Sequence, residues 1–213
     1  MLQALSSLSA TELLLIAATA IFASVIGGKI RKVESVGVDT SGSGDLFSSL
    51  PDAVVPDLDR PFNIFVAGIG GTGVITIGAL VGMAAHLEGK GVSLLDVTGL
   101  AQKNGAVASH VRVANTPEEL HSTRIPAGGA DLALGCDIVV ATGMDGMQKL
   151  GASRTRAIVN THVAPTADFA ANADLDMSSA SMESRITAAI GEDRADFVEA
   201  TKLATALLGD AIG

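Results

Sequence analysis

The spacing of apolar and polar positions divides the chain into recognisable blocks. Residues 62–67 (FNIFVA) form a short apolar, β-prone run of the kind buried on both faces of a parallel sheet. A glycine turn follows, and residues 72–87 then predict a helix. Gly78 and Gly82 lie one turn apart in it, giving a flat face that can lie close against a sheet. Residues 91–97 read as a second strand, so this stretch spells a β-α-β unit. Further on, residues 106–114 alternate as a strand, with Val107, Ser109, Val111 and Val113 on one face and His110 and Arg112 on the other. Residues 117–121 predict a short helix capped by Thr116, and residues 130–135 another strand. Residues 137–150 have helical length, although their first part (DIVVAT) also fits a strand. A strand at 156–160, a loop at 164–178, an amphipathic helix at 179–190, a short strand at 196–200 and a helix at 202–208 complete the pattern. The predicted architecture is α/β: a doubly wound, mostly parallel, Rossmann-like sheet with helices on both faces.

The first 61 residues follow another pattern. Residues 13–28 (LLLIAATAIFASVIGG) are almost continuously apolar and are followed by Lys29, Arg31 and Lys32. The run is shorter than the about 20 residues of a typical membrane-spanning helix. Glu12 precedes it and no Lys or Arg does, so it makes a poor secretory signal. A packed or loosely associated helix is the favoured reading, and a membrane anchor the alternative. In an anchored chain the basic flank would put the C-terminal domain on the cytoplasmic side. Gly, Ser, Asp and Pro dominate residues 34–61, where Pro51, Pro56 and Pro61 interrupt any helix. The predicted organisation is therefore an apolar helix with a basic flank (1–33), a linker (34–61) and an α/β domain (62–213).

Composition narrows the chemistry. A formal charge of −9 argues against a nucleic-acid partner, and 3% aromatic residues offer bases few platforms. The single cysteine, Cys136, excludes an internal disulfide and a Cys-rich zinc or iron–sulfur site within these 213 residues. Its apolar surroundings (LALGCDIVV) predict a buried, inert thiol. Histidines at 86, 110, 121 and 162 are scattered, with no H-E-x-x-H or G-x-S-x-G pattern. His110 is expected to be a hydrogen-bonded structural residue, and Arg112 to pair with a carboxylate or anchor a neighbouring chain. His162 follows a strand at its C-terminal end, facing either a ligand or solvent.

Candidate binding groups gather after the first strand. Gly68, Gly70 and Gly73 have the G-x-G-x-x-G spacing, with Gly71 and Thr72 between them. They bring backbone N–H groups to a helix tip that favours an anion. Residues 98–105 form a polar, glycine-punctuated loop at the sheet edge where open α/β folds bind ligands. Asp96 ends the predicted second strand, about where a dinucleotide-binding protein holds its ribose. From these residues alone, a free-standing NAD(P)-binding Rossmann oxidoreductase and a non-catalytic, membrane-tethered binding module both remain open.

The stretch GIGGTGVITIGALVGMAAHLEGKGVSLLDVTGLAQKNGAVASHVRVA resembles the gamma-type domain of indolepyruvate ferredoxin oxidoreductase, within the 2-oxoacid:ferredoxin oxidoreductase family. The resemblance covers about residues 50–212 and rests on GIGGTG (68–73), AQKNGAVASHVR (101–112), GGADLALGCD (128–137) and IVNTH (158–162). Asn104 stands where the family usually has glycine, and Asn tolerates positive φ better than most residues. The resemblance implies a gamma-type module of an enzyme that oxidatively decarboxylates aryl-2-oxoacids to acyl-CoA. In the complete enzyme thiamine diphosphate supplies the carbanion chemistry, coenzyme A takes the acyl group and [4Fe–4S] clusters pass electrons to ferredoxin. None of these cofactors is expected to be held by this chain alone. Its partners would be the thiamine-binding and iron–sulfur domains or subunits, in the cytoplasm, with no nucleic acid. The cofactor-facing role would fall on Gly68, Gly70, Gly71, Thr72, Gly73, Gln102, Lys103, Asn104 and Gly105. A Cys-rich segment precedes the domain in fused forms of the family; here the apolar run takes its place. That departure, with the stop at Gly213 inside a helix-rich region, leads to the expectation of a fragment, a split subunit or a misread gene, without turnover on its own.

Overall fold

The computed structural model describes residues 58–99, 105–163 and 178–208. The predicted N-terminal helix and linker lie outside the described residues up to position 57, as do Gln102, Lys103, Asn104 and most of the 164–178 loop.

Six strands form one sheet: β1 (Phe62–Ile69), β2 (Gly91–Thr98), β3 (Ala106–Ala114), β4 (Leu132–Gly135), β5 (Arg156–Asn160) and β6 (Ala195–Val198). Their order is β2-β3-β1-β4-β5-β6. β1, β4, β5 and β6 pair in parallel, whereas β3 pairs antiparallel with both β1 and β2. The mostly parallel, doubly wound sheet is as predicted, but its first β-α-β unit is split. After the helix α1 (Val74–Leu87) the chain returns in β2, and β3 folds back between β2 and β1. β3 suits that central place because Ala108, Ser109, His110 and Val111 are buried in succession, covering both faces.

α1 covers one face over β1, β3 and β2. Gly78 makes this close: a Cβ there would lie 2.3 Å from Ser109 Oγ, whereas one at Gly82 would meet Val92 at 3.4 Å. The opposite face carries α2 (Ile138–Ala141), α3 (Met144–Lys149) and α4 (Ser179–Ile190). Ile138, Met182, Ile186 and Ile190 pack there against Ala133, Ala157 and Val159. Small residues on the strands let helices close down on the sheet, and burying each Ile or Met side chain contributes about 1.5–3 kcal/mol. α4 begins as read, with the Ser178 hydroxyl accepting from Ser181 N–H, and stops at Gly191, whose φ is 100°. α5 (Ala200–Leu208) follows β6.

Several local readings change. Residues 137–150 form two short helices rather than one, because Thr142 turns its hydroxyl onto the Ile138 carbonyl (2.8 Å) and Gly143 leaves helical geometry. Gly146 lets the pieces fold together, since a Cβ there would sit 2.2 Å from the Ala141 carbonyl oxygen. The helix at 117–121 is a single 3-10 turn (Pro117–Glu119) that the Thr116 side chain does not cap. Arg112 finds no carboxylate among the described residues: its Nε donates to Asn63 Oδ1 at 2.8 Å and its Nη1 to the Ser122 carbonyl. Cys136 is half-buried rather than fully buried, and burial followed by the Asp137 charge raises its thiol pKa.

A carboxylate secures the end of the sheet where the parallel strands begin. Asp131 accepts from Arg60, Arg154 and the Asn63 N–H, the closest contacts being 2.8 Å. It is largely buried, and burial alone would raise its pKa; the hydrogen bonds from Arg154, Arg60 and Asn63 outweigh that and hold it near 2.

Candidate functional site

β1 leads to a helix on one face of the sheet and β4 to a helix on the other, so the winding reverses between their C-terminal ends. Crevices at such reversals are where open α/β sheets receive ligands. The glycine turn forms one wall. Gly68 is packed inside it: a Cβ would meet Thr72 Oγ1 at 2.7 Å and Cys136 Cβ at 2.9 Å. Thr72 shapes the turn by donating its N–H (3.1 Å) and hydroxyl (2.7 Å) to the Ile69 carbonyl. Gly71 and Gly73 have φ of 101° and 80°, with open space where side chains would stand. These left-handed values explain the glycines; both residues and Thr72 are exposed.

The loop predicted to lie beside this turn meets it at Gly105. Gly70 N–H donates to the Gly105 carbonyl at 2.9 Å, and Gly99 N–H to the Ala106 carbonyl at 3.2 Å. Gly105 thus ties the start of β3 to the glycine turn at the head of α1, and the Gly99 bond continues the β2–β3 ladder past Thr98. Gln102, Lys103 and Asn104 belong to the β2–β3 loop but lie outside the described residues.

The head of α1 has anion-binding character. No acidic residue occupies its first turn, and the N–H groups of Val74, Ile75 and Thr76 have no acceptor among the described residues. On the other side of the crevice Asp137 is buried and caps α2, with Oδ1 accepting from Val140 N–H at 2.8 Å. Asn160 ties the strand ends together, donating to the Cys136 carbonyl (3.1 Å) and Thr201 Oγ1 (2.9 Å) and accepting from His162 N–H (3.3 Å). Sequence reasoning did not single out Asp137 or Asn160. The only signals were an acid before a helix and a polar residue closing an apolar strand.

The remaining candidates separate from this site. Asp96 does not end its strand, which runs to Thr98, and it is exposed opposite Ser109. With β3 interposed, β2 is two strands, or about 10 Å, from β1. Asp96 therefore does not flank the glycine turn as a ribose-binding acid would. His110 is fully buried and structural: Nδ1 accepts from Ile125 N–H at 3.3 Å, and its ring lies 5.1 Å from that of Phe65. Burial, then the Lys149 charge, pushes its pKa down to about 4, against the pull of Asp145. His162 is exposed. Among the described residues no group of three His, Cys, Asp or Glu could hold a metal. A void of about 10 Å³ lined by Phe65, Ala133, Gly135, Ala157 and Val159 is far too small for a cofactor. The arrangement can bind and position; among the described residues it presents no nucleophile–base pair.

Residues 63–210 match the family described as pyruvate ferredoxin/flavodoxin oxidoreductase. The indolepyruvate oxidoreductase subunit IorB of Methanothermobacter thermautotrophicus is 33% identical over 104 residues, covering 49% of this chain and 50% of that protein. IorB of Thermococcus kodakarensis is 34% identical over 82 residues, covering 38% and 39% respectively. The matches thus span half or less of the length of these relatives. Among solved structures, the pyruvate oxidoreductase subunit PORC of Thermotoga maritima superposes with a TM-score of 0.50 at 17% identity, over 72% of this chain and 70% of that one. At that identity the likeness concerns the fold, a six-stranded α/β sheet. The family match covers well over half of the sequence, and the chain belongs to the pyruvate ferredoxin/flavodoxin oxidoreductase family.

Proposed function

We propose that this chain is the gamma-type module of an indolepyruvate-type 2-oxoacid:ferredoxin oxidoreductase, an enzyme that converts aryl-2-oxoacids to acyl-CoA and passes the electrons to ferredoxin in the cytoplasm. Family membership and the IorB relatives support the assignment. The observation that supports the site is the Gly70 to Gly105 hydrogen bond, which brings the end of the loop to the glycine turn at a helix tip. In the complete enzyme thiamine diphosphate, [4Fe–4S] clusters and coenzyme A supply carbanion chemistry, electron transfer and acyl acceptance. One cysteine does not fit a four-thiolate cluster, so the clusters are assigned to companion domains or subunits. A pyrophosphate fits better: the N–H groups of Val74, Ile75 and Thr76 lack acceptors among the described residues, and the space around Gly71 and Gly73 is open. Gly68, Gly70, Gly71, Thr72 and Gly73, with Gln102, Lys103, Asn104 and Gly105, would then orient coenzyme A or a companion domain beside it. Among the described residues no helix is long and apolar enough to cross a membrane.

Reconstitution with thiamine-binding and iron–sulfur companions tests this reading. The chain alone is expected to give no turnover, and the assembled enzyme to reduce ferredoxin with indolepyruvate and coenzyme A. In that assembly Lys103→Ala should raise KM for coenzyme A about tenfold, a loss of about 1.4 kcal/mol. Turnover by the isolated chain would refute the module assignment. An unchanged KM in both Lys103→Ala and Gly73→Val would refute the cofactor-facing role.

A further inference from the structure

We propose that the edge of β2, unpaired among the described residues, is a self-association surface that pairs antiparallel with β2 of a second copy of this chain. The inference is independent of the catalytic reading. β2 ends the sheet, and hydrogen bonding fixes which of its groups are unused. Gly99 N–H bonds the Ala106 carbonyl in the same register that pairs Gly91 with Ala114 and Thr98 with Val107. Antiparallel ladders alternate, so odd-numbered β2 residues bond to β3, while Val92, Leu94, Asp96 and Thr98 turn N–H and C=O outward. None of these outward groups is bonded among the described residues.

Protein edges are usually protected by Lys, Pro, a bulge or brevity. β2 is eight residues long, contains no Lys or Pro and bears one charge, Asp96. The adjoining flank of α1 is also uncharged. Gly78 and Gly82 face the sheet, and Ile75, Ala79, Met83 and Leu87 form an exposed i, i+4 ridge on a helix without Asp, Glu, Lys or Arg. On a chain of net charge −9, this is a surface where two copies can meet with little repulsion.

One two-fold register satisfies the whole edge. With the axis beside Leu95, Val92 lies opposite Thr98 of the second copy and Leu94 opposite its Asp96. Every outward N–H and C=O then finds a partner, and Asp96 never lies directly opposite Asp96. Leu95 meets Leu95 on the face away from α1. Such an isologous contact closes at two copies and consumes both edges.

Sedimentation equilibrium of the full chain across concentrations is the test, with thermal melts to verify that each variant folds. The wild type is expected to dimerise. Leu94→Glu sets Glu against Asp96 of the second copy and should weaken the dimer at least about tenfold. Leu94→Glu/Asp96→Lys makes the same pair attractive and should restore affinity to within about threefold. Asp96→Pro removes an outward N–H at an exposed edge position that accommodates proline, and should yield monomer. A monomeric wild type at roughly 100 μM, or a dimer indifferent to all three variants, overturns the proposal. So does edge protection in hydrogen exchange that arises only when a companion chain is added.

Discussion

Two buried ionisable residues set how the protein responds to acid, each in its own pH window. The folded-state pKa of His110 is near 4, below its ordinary 6.5, so the unfolded chain takes up the proton first. Its contribution is complete above pH 6.5 and is lost as pH falls toward 4, to a total of about 3 kcal/mol. Chemical denaturation at pH 7, 5.5 and 4 should show this loss, and His110→Phe should flatten it. Asp131, held near 2 by Arg154 and Arg60, contributes fully above its ordinary carboxylate range. That contribution disappears as pH falls from about 4 toward 2. Asp131→Asn should cost about 3 kcal/mol at neutral pH, because it removes the buried charge and turns one of the two acceptor oxygens into a donor facing the arginines. Asp131 lies at the far end of the strands from the glycine turn, so the same variant should leave KM for coenzyme A unchanged in the assembled enzyme.

At the scale of elements, the clearest parts of the sequence had a complete local code. Residues 106–114 put three valines on one face of a β-prone run, and 179–190 carry a serine cap, an apolar stripe and a closing glycine; both elements have the predicted bounds. Residues 137–150 lacked such a code, since one glycine and one back-bonding threonine decide between one helix and two. The flat face of α1 was legible from Gly78 and Gly82, but their unequal tightness was not, because it depends on Ser109 across the sheet. Gly78→Ala should therefore destabilise by about 1–3 kcal/mol through overpacking. Gly82→Ala should be neutral or stabilise by up to about 1 kcal/mol, from helix propensity. Thermal melts of the two variants would separate them directly.

At the scale of the whole molecule, the fold class was readable but the strand order was not. Nothing in the composition of β3 states that it inserts between β1 and β2; that depends on the hairpin folding back rather than on any period in the residues. The order bears on function, since it removes Asp96 from the glycine turn and brings Gly105 to it. The turn itself was identified from its spacing, whereas the place of Asp137 near it depends on β4 lying beside β1. Backbone hydrogen exchange can check the register behind these placements. In dilute, monomeric protein the amides of Val92, Leu94 and Asp96 should exchange much faster than those of Ser93, Leu95 and Val97, which bond inward.

The Gly70 to Gly105 bond lies in the same register as the ladder that begins with Phe62 opposite Val113. It is the next rung of the β1–β3 pairing, extended past the end of the regular strand. The proposed binding surface would therefore inherit its stiffness from the sheet, without a separate hinge. By reciprocity, a guest that grips the helix tip should slow amide exchange along the strand beneath it, so occupancy could be followed from the interior of the protein without a reporter on the ligand.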